Sequence, residues 1–357
     1  MTLPASTAAK PTARSARVAH LDGIRALAIL SVVAFHWFGG RILGLFHGGY
    51  IGVDVFLALS GYLITSILVR RSDQTLTGYL RFMRARVRRL YPALLGLTVG
   101  VFLITLLGHG KVFDLLRPSL PSYAVTLLQV SWIPVIGDWG SHGQAFIHTW
   151  SLAVEWTFYV VWPWLLWRTL GRRRHAWLLV ALVAVAVWLA CAAVLPWQWF
   201  YASPLARSAQ LGAGCALALF AAPRGGSRVF AEMPRVAAEA MFVVAFLAVS
   251  GWAVLGPLAG ASYRWGVFAL VPLGTVAMIA GGHRSRVAHW LVRLPAVTAV
   301  GVASYSIYLW HVPWMLIFNA DLLGISHGAV ALGTLLMTAL TAAISYWFLE
   351  RPYFRSR

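Results

Sequence analysis

The chain has 357 residues, 60% of them hydrophobic, with a mean hydropathy of +0.75 and 18 tryptophans, which is too apolar for a soluble domain, so lipid must be its solvent. Its formal charge of +19 comes from 29 basic residues, all arginine except Lys10 and Lys111. The arginines fall in short clusters between apolar runs, the positive-inside pattern of a membrane protein, and with no soluble basic domain or RNA-binding motif this excludes nucleic acid as the partner.

Residues 1–15 are expected to be disordered. Arg14, Arg17 and His20 stand ahead of the first apolar run with no separate apolar stretch and cleavage site, so no cleaved signal peptide is expected. Segments long enough to span about 30 Å of hydrocarbon follow at 22–40, 51–69, 90–108, 148–168, 176–195, 203–222, 236–256, 264–281, 297–318 and 327–349. They predict an all-α polytopic bundle of about 10 transmembrane helices.

Between Gly108 and His148 the apolar pattern is broken by Pro118, Pro121 and Pro134. A single extra span there would invert every later loop, so 109–147 is expected to be extracytoplasmic or re-entrant against protein. The stretches at 70–89, 168–174, 224–235, 284–293 and 351–357 then share the side of the N-terminus, and all are basic, which places both termini in the cytoplasm. The opposite loops at 196–201, 256–263 and 319–326 hold no arginine, although Arg41, Arg207 and Arg264 lie on or near that side. Residues 16–357 are read as one transmembrane domain, with no soluble catalytic domain expected after Glu350. Cys191 and Cys215 sit inside apolar runs without CxxC spacing or histidine neighbours; they are expected to be small core residues, and no metal is expected.

With only ten acidic residues in the chain, each one in an apolar run needs a reason. An unpaired charge there costs about 2.5 kcal/mol or more. Asp22, Asp54, Glu155 and Glu350 are such residues, and Asp22 can pair with Arg25 three positions on. His36 lies eleven residues beyond Arg25, on the same helical face and ~16 Å deeper. The stripe between them is apolar, which suggests an inward-facing cavity. His148, Ser151, Glu155 and Tyr159 recur at helical spacing on a second stripe, where Glu155 can accept a proton, orient a histidine or satisfy a buried donor. Ser304, Tyr308 and His311, with Tyr305 alongside, form a third, and Pro313 is expected to kink that helix. Three helices presenting histidines with hydroxyls or a carboxylate make a site if the stripes converge.

Taken in order, these segments resemble the acyltransferase-3 family of membrane O-acyltransferases, which acylate lipopolysaccharide, peptidoglycan and macrolide sugars. The likeness runs from Leu21 to Pro352. It is carried by Leu21-Asp22-Gly23-Ile24-Arg25 through Phe35-His36, with ten residues between arginine and histidine, and by Gly52-Val53-Asp54-Val55-Phe56 through Ser60-Gly61-Tyr62. Arg84-Ala85-Arg86-Val87-Arg88-Arg89-Leu90-Tyr91-Pro92, Trp150-Ser151-Leu152-Ala153-Val154-Glu155, Tyr305-Ser306-Ile307-Tyr308-Leu309-Trp310-His311-Val312-Pro313 and Glu350-Arg351-Pro352 complete the series. Ala26 stands where glycine is usual, and Trp156-Thr157 follow Glu155 where members often have a second glutamate and a glutamine.

The resemblance implies transfer of an acyl group, acetyl above all, from cytoplasmic acyl-CoA as donor substrate to a hydroxyl of a surface glycan or a secreted small molecule such as a macrolide, in a multi-pass protein of the cell membrane. Arg84, Arg86, Arg88 and Arg89 are then the expected clamp for the nucleotide phosphates. The thioester would thread toward His36 near mid-membrane, where a neutral imidazole suits the role of base. Glu155 or Asp54 would orient that ring. Arg25, with Asp22, would either stabilise the thioester oxygen or gate the donor entrance. His148, Ser151, Tyr305, Tyr308 and His311 are the candidate substrate-site residues. Two other readings stand beside this one: a proton-coupled transporter, since buried His, Glu and Arg also mark transport, and a relay handing acyl groups to a separate secreted transferase.

Overall fold

A computed structural model describes residues 13–39, 44–71, 73–137, 144–170, 175–318, 323–324 and 326–352. Most of the expected disordered segment, together with Arg41, the arginines at 172–174 and those of the tail at 355 and 357, lies outside the described residues, and the side chains of Arg14 and Arg17 are likewise not described. Among the described residues there is no strand.

Ten helices frame the bundle: α1 Ala13–Phe38, α2 Gly52–Val69, α3 Leu76–Leu107, α4 Trp150–Leu165, α5 Ala176–Val194, α6 Pro204–Ala221, α7 Arg235–Leu255, α8 Phe268–Gly281, α9 Ser304–Ile317 and α10 His327–Ser345. Eight of them, some with their flanking turns, are long and apolar enough to cross a membrane. A ninth span is a broken one, the short helix Pro295–Val302 followed by α9 at a bend of 76°. The break falls at Ala303, so the large kink expected at Pro313 is displaced ten residues toward the N-terminus, and Pro313 continues inside α9. The remaining expected span, α4, is 16 residues long, entered by a 3-10 turn Gln144–Thr149 and prolonged by a π turn Leu166–Leu170.

Local chemistry sets several helix starts. The side chains of Thr75, Ser203 and Ser326 each accept the backbone N–H three residues on, satisfying a donor that the first turn leaves free. Hydrogen bonds from Thr75 hold the exposed Asp73 carboxyl below its usual range at the head of α3. The doubtful stretch after α3 folds as three short helices, Lys111–Leu116, Leu120–Leu127 and Trp132–Gly137, none long enough to span. They lie against protein: Arg117 donates to the Thr105 carbonyl at 3.2 Å, Tyr91 to the Leu127 carbonyl at 3.0 Å, and Leu116 and Phe146 are buried in the cluster around α3 and α9. Irregular backbone at such a position is satisfied by protein rather than lipid.

The centre of the bundle is the crossing of α2 and α6. A side chain at Gly61 would strike the Leu211 carbonyl and one at Gly214 the Ala58 carbonyl, so the two backbones touch through glycines, as membrane helices do when van der Waals contact replaces the hydrophobic effect. Cys191 and Cys215 are buried and unbonded to each other, in the core role expected of them. The outward faces carry large apolar side chains such as Phe102, Leu182, Val244, Leu270 and Leu336 on separate helices, the surface that acyl chains of a bilayer cover.

Candidate active site

A cavity of about 290 Å³ opens between α1, α2, α3, α4 and α9. At one end stand Asp22 and Arg25 of α1, paired at 3.3 Å, with Arg86 and Arg89 of α3. Tyr159 marks the same end, since the buried Arg86 guanidinium lies 5.9 Å from its ring and 5.4 Å from that of Phe82. Ser151 marks the other end, eight residues back along α4 and therefore about 12 Å away. Midway between them Glu155 accepts hydrogen bonds from Ser60 of α2 and from Tyr159. Tyr305 lines the cavity from α9 and donates to the Leu90 carbonyl at 3.0 Å.

Only half of the expected phosphate clamp faces this space. Arg86 and Arg89 are one helical turn apart and line the cavity, whereas Arg84 and Arg88 project from the exposed side of α3 and are absent from its lining. Arg25 supplies the third guanidinium instead.

The cavity closes on Tyr308. Its hydroxyl donates to the His148 carbonyl at 2.6 Å and takes a hydrogen bond from Ser151 at 2.7 Å. Behind this phenol lie three imidazoles. The Tyr308 ring is 5.3 Å from that of His148 and 5.4 Å from that of His311, and His311 is 5.2 Å from His148 and 5.0 Å from His36, centroid to centroid. The three polar stripes therefore do converge. Among the described residues the cavity does not run on from the arginines to His36: it stops one phenol ring and one imidazole short of it. His36 sits in the last turn of α1, eleven residues on from Arg25.

Each histidine ring has one nitrogen against a backbone carbonyl: His36 Nδ1 at 2.9 Å from Val32, His148 Nε2 at 3.1 Å from Leu309 and His311 Nδ1 at 2.6 Å from Tyr308. A carbonyl only accepts, so those nitrogens carry the protons and the neutral tautomers follow. The lone pair is on Nε2 of His36 and His311 and on Nδ1 of His148. Among the described residues no group of three or more His, Cys, Asp or Glu is arranged to hold a metal ion.

A carboxylate was the expected orienter of His36, and the geometry corrects that: the Val32 carbonyl fills the position. Glu155 is engaged with Ser60 and Tyr159 inside the cavity. Asp54 belongs to a different place altogether. It is 1% exposed and accepts from Arg207 Nη1 at 2.5 Å, from Gln210 at 2.5 Å and from Tyr263 at 2.9 Å, while Arg207 Nε donates to the Tyr201 carbonyl at 2.6 Å. The Arg207 guanidinium is packed among the rings of Trp150, Tyr201, Tyr263 and Phe268. This closed network joins α2, α6 and the turn before α8, and neither Asp54 nor Arg207 lines the cavity.

Sequence reasoning passed over Ser60, although it lies inside a motif it singled out, and placed Tyr159 on the second stripe without giving it a role. It also left Asp54 without a partner. A buried acid in an apolar run demands a base, and Arg207, an arginine inside an apolar run on the arginine-poor side, was the available signal.

The acyltransferase-domain model Acyl_transf_3 matches residues 18–350. BcsY of Komagataeibacter xylinus, named for a membrane-bound transacylase, is 32% identical over 348 residues, covering 93% of this chain and 81% of that protein. The O-acetyltransferase OatA of Staphylococcus aureus is 29% identical over 355 residues, 93% of this chain, and the peptidoglycan O-acetyltransferase OatA of Listeria monocytogenes 28% identical over 365 residues, 96% of it. The chain spans 56% and 57% of the length of these two OatA proteins. No solved structure matches the chain. On the family model and these relatives, the chain belongs to the acyltransferase-3 family of membrane acyltransferases.

Proposed function

We propose that the protein is an O-acyltransferase of the cell membrane that moves an acetyl group from cytoplasmic acyl-CoA to a hydroxyl of a sugar-containing acceptor, a surface glycan or a glycosylated small molecule such as a macrolide. The observation that carries this reading is a band of functional side chains across the bundle. Arg25, Arg86 and Arg89 stand at one end of a cavity, Ser151 and Tyr308 close the other, and His311 and His36 continue beyond it. The names of the relatives, membrane transacylase and O-acetyltransferase, support the chemistry, and a peptidoglycan enzyme among them supports a glycan acceptor.

Coenzyme A carries several negative charges on its nucleotide end, and guanidinium groups hold phosphates bidentately. Arg86 and Arg89 take that role beside Arg25, which Asp22 holds, while the uncharged pantetheine arm runs along Glu155 toward Tyr308. The acceptor approaches from the His36 end of α1. The Nε2 lone pair of His36 takes the hydroxyl proton as the acceptor oxygen bonds to the thioester carbonyl carbon. The C–S bond then breaks and the thiolate of coenzyme A recovers the proton from the imidazolium. Contact between the two substrates requires the Tyr308 and His311 side chains to swing aside, which breaks three hydrogen bonds worth about 0.5–1.5 kcal/mol each.

The closed inner end of the cavity also favours a second reading, in which the acyl group pauses in the membrane and is relayed to a separate secreted transferase. Proteoliposomes given acetyl-labelled acetyl-CoA with a macrolide or a peptidoglycan-derived sugar distinguish the two. Label on the sugar without any added protein is the expected result, with none from inserted, folded His36→Ala protein. Near-wild-type product from that variant removes the base, label reaching sugar only when a secreted transferase is added favours the relay, and movement of unaltered substrate alone removes the enzyme.

A further inference from the structure

At the basic end of the bundle a second cavity of about 1000 Å³, sharing no lining residue with the acyl-donor cavity, lies between α7 and the turn that follows α8. Its polar wall holds Arg235, Arg284, Arg286, His283 and His289 against a single acid, Glu239. That acid is already committed to backbone. Its two oxygens accept the N–H groups of Arg286 at 2.5 Å and Val287 at 3.1 Å. None of the four ion pairs among the described residues includes Arg235, Arg284 or Arg286. Arg284 is nevertheless fixed in place, because its Nη1 donates to the Ala231 and Met233 carbonyls at 3.1 and 2.9 Å, leaving Nε and Nη2 as donors beyond those bonds.

The other wall has the opposite character. Val236, Ala240 and Val243 follow one another at i, i+4 and i+7 along α7 and line the same cavity, with Val236 83% exposed. Trp290, 58% exposed, stands next to His289, the kind of residue that rests at the boundary between headgroups and hydrocarbon. A cavity with guanidinium groups on one side and a lipid-facing apolar stripe on the other fits a ligand with a phosphate head and an acyl tail. We propose that this cavity is a binding site for the headgroup of an anionic phospholipid of the phosphatidylglycerol class, with the arginines on the phosphate and the acyl chain laid along α7. The charge complementarity is local and the apolar stripe continues into the surface the bilayer covers, which favours lipid over free phosphate. The inference is independent of the reading of the active site.

The test is native mass spectrometry of the full chain in a neutral detergent, titrated in turn with short-chain phosphatidylglycerol, short-chain phosphatidylcholine and inorganic phosphate. Phosphatidylglycerol is expected to bind and to survive competition from phosphatidylcholine and from phosphate. Replacing Arg235 and Arg286 by glutamine, two side chains that hold no other part of the fold by a hydrogen bond described above, weakens it about fivefold for each arginine. Adding Arg284→Gln, whose loss also frees two carbonyls, weakens it further; the first two changes keep the test valid where that variant unfolds. Equal retention of phosphatidylcholine, unchanged binding in the Arg235→Gln/Arg286→Gln protein, or displacement by inorganic phosphate at similar concentration would each overturn the proposal.

Discussion

Asp54 and Arg207 offer the sharpest separation between structural and catalytic roles. Both are 1% exposed and bonded at 2.5 Å, and their pairing ties α2 to α6 at the central crossing. Asp54→Asn keeps an oxygen for Gln210 and Tyr263 but leaves the Arg207 charge buried without its counter-ion. Arg207→Gln does the reverse. Removing one partner of a buried pair costs about 3–5 kcal/mol, because the remaining charge stays desolvated. Two independent losses would sum to about 6–10 kcal/mol, most of the stability of an ordinary domain. The double variant instead holds two neutral amides of similar shape, so it should lose far less than that sum, with a coupling of several kcal/mol. Thermal unfolding in detergent reads the cycle directly: both single variants melt lower than wild type, and the double variant melts above either of them. Acetyl transfer measured on the same preparations should follow the folded fraction. If Asp54→Asn melted as wild type and lost its turnover, the network would be part of the chemistry, and the assignment of Asp54 to the scaffold would fail.

Two further outcomes test the cavity itself. Changing Arg86 and Arg89 to glutamine removes charge-assisted hydrogen bonds worth about 1.5–3 kcal/mol each, so the KM for acetyl-CoA should rise at least tenfold. The same changes at the exposed Arg84 and Arg88 should leave it near wild type in steady-state assays, and equal effects from the two pairs would deny that the cavity binds the donor. Tyr308→Phe keeps the ring that separates the cavity from His311 but loses both hydrogen bonds that clip it in place. That variant should hydrolyse acetyl-CoA faster in the absence of any acceptor, read as release of free thiol, and an unchanged background rate would refute the partition.

Much of the architecture was legible in apolar run lengths, because a helix that crosses hydrocarbon must satisfy its own backbone and cannot be short. The alternation of arginine-rich and arginine-poor loops argued against a span between α3 and α4, and the described residues there form short helices packed on protein. Periodicity also identified the faces that meet: Arg25 and His36 on α1, Ser151 and Glu155 on α4, Tyr308 and His311 on α9. What periodicity cannot supply is the pairing between helices. Asp54 looked like a candidate for the site because it lies in a motif and is acidic, yet its position in the first turn of α2 brings it to Arg207, one register away from the face that carries Ser60. The same blindness applied to the four arginines of α3, where a cluster in sequence divides into two faces in space.

The bend at Ala303 shows why the interior of the site was beyond sequence reading. A straight helix over 297–318 would carry Ser304, Tyr308 and His311 along one continuous wall of a tunnel, and that is the arrangement the spacing suggests. Breaking the segment by 76° at Ala303 starts a new helix at Ser304, whose Tyr308 hydroxyl meets Ser151 at the start of α4 and the His148 carbonyl in the turn before it. Proline is the residue that sequence reasoning trusts for a kink, and Pro313 was the visible candidate, but Ala303 has no such mark. Just before that break the backbone of α1 at Asp22 lies so close to Gly301 that no side chain would fit, so the short helix is packed directly on α1. The partition between donor cavity and histidines is therefore a property of how α1 and α9 cross. A residue larger than glycine at position 301 would push on the Asp22 backbone, so Gly301→Ala should raise the KM for acetyl-CoA through the Asp22–Arg25 pair as well as loosen Tyr308, and steady-state kinetics unchanged from wild type would refute this coupling.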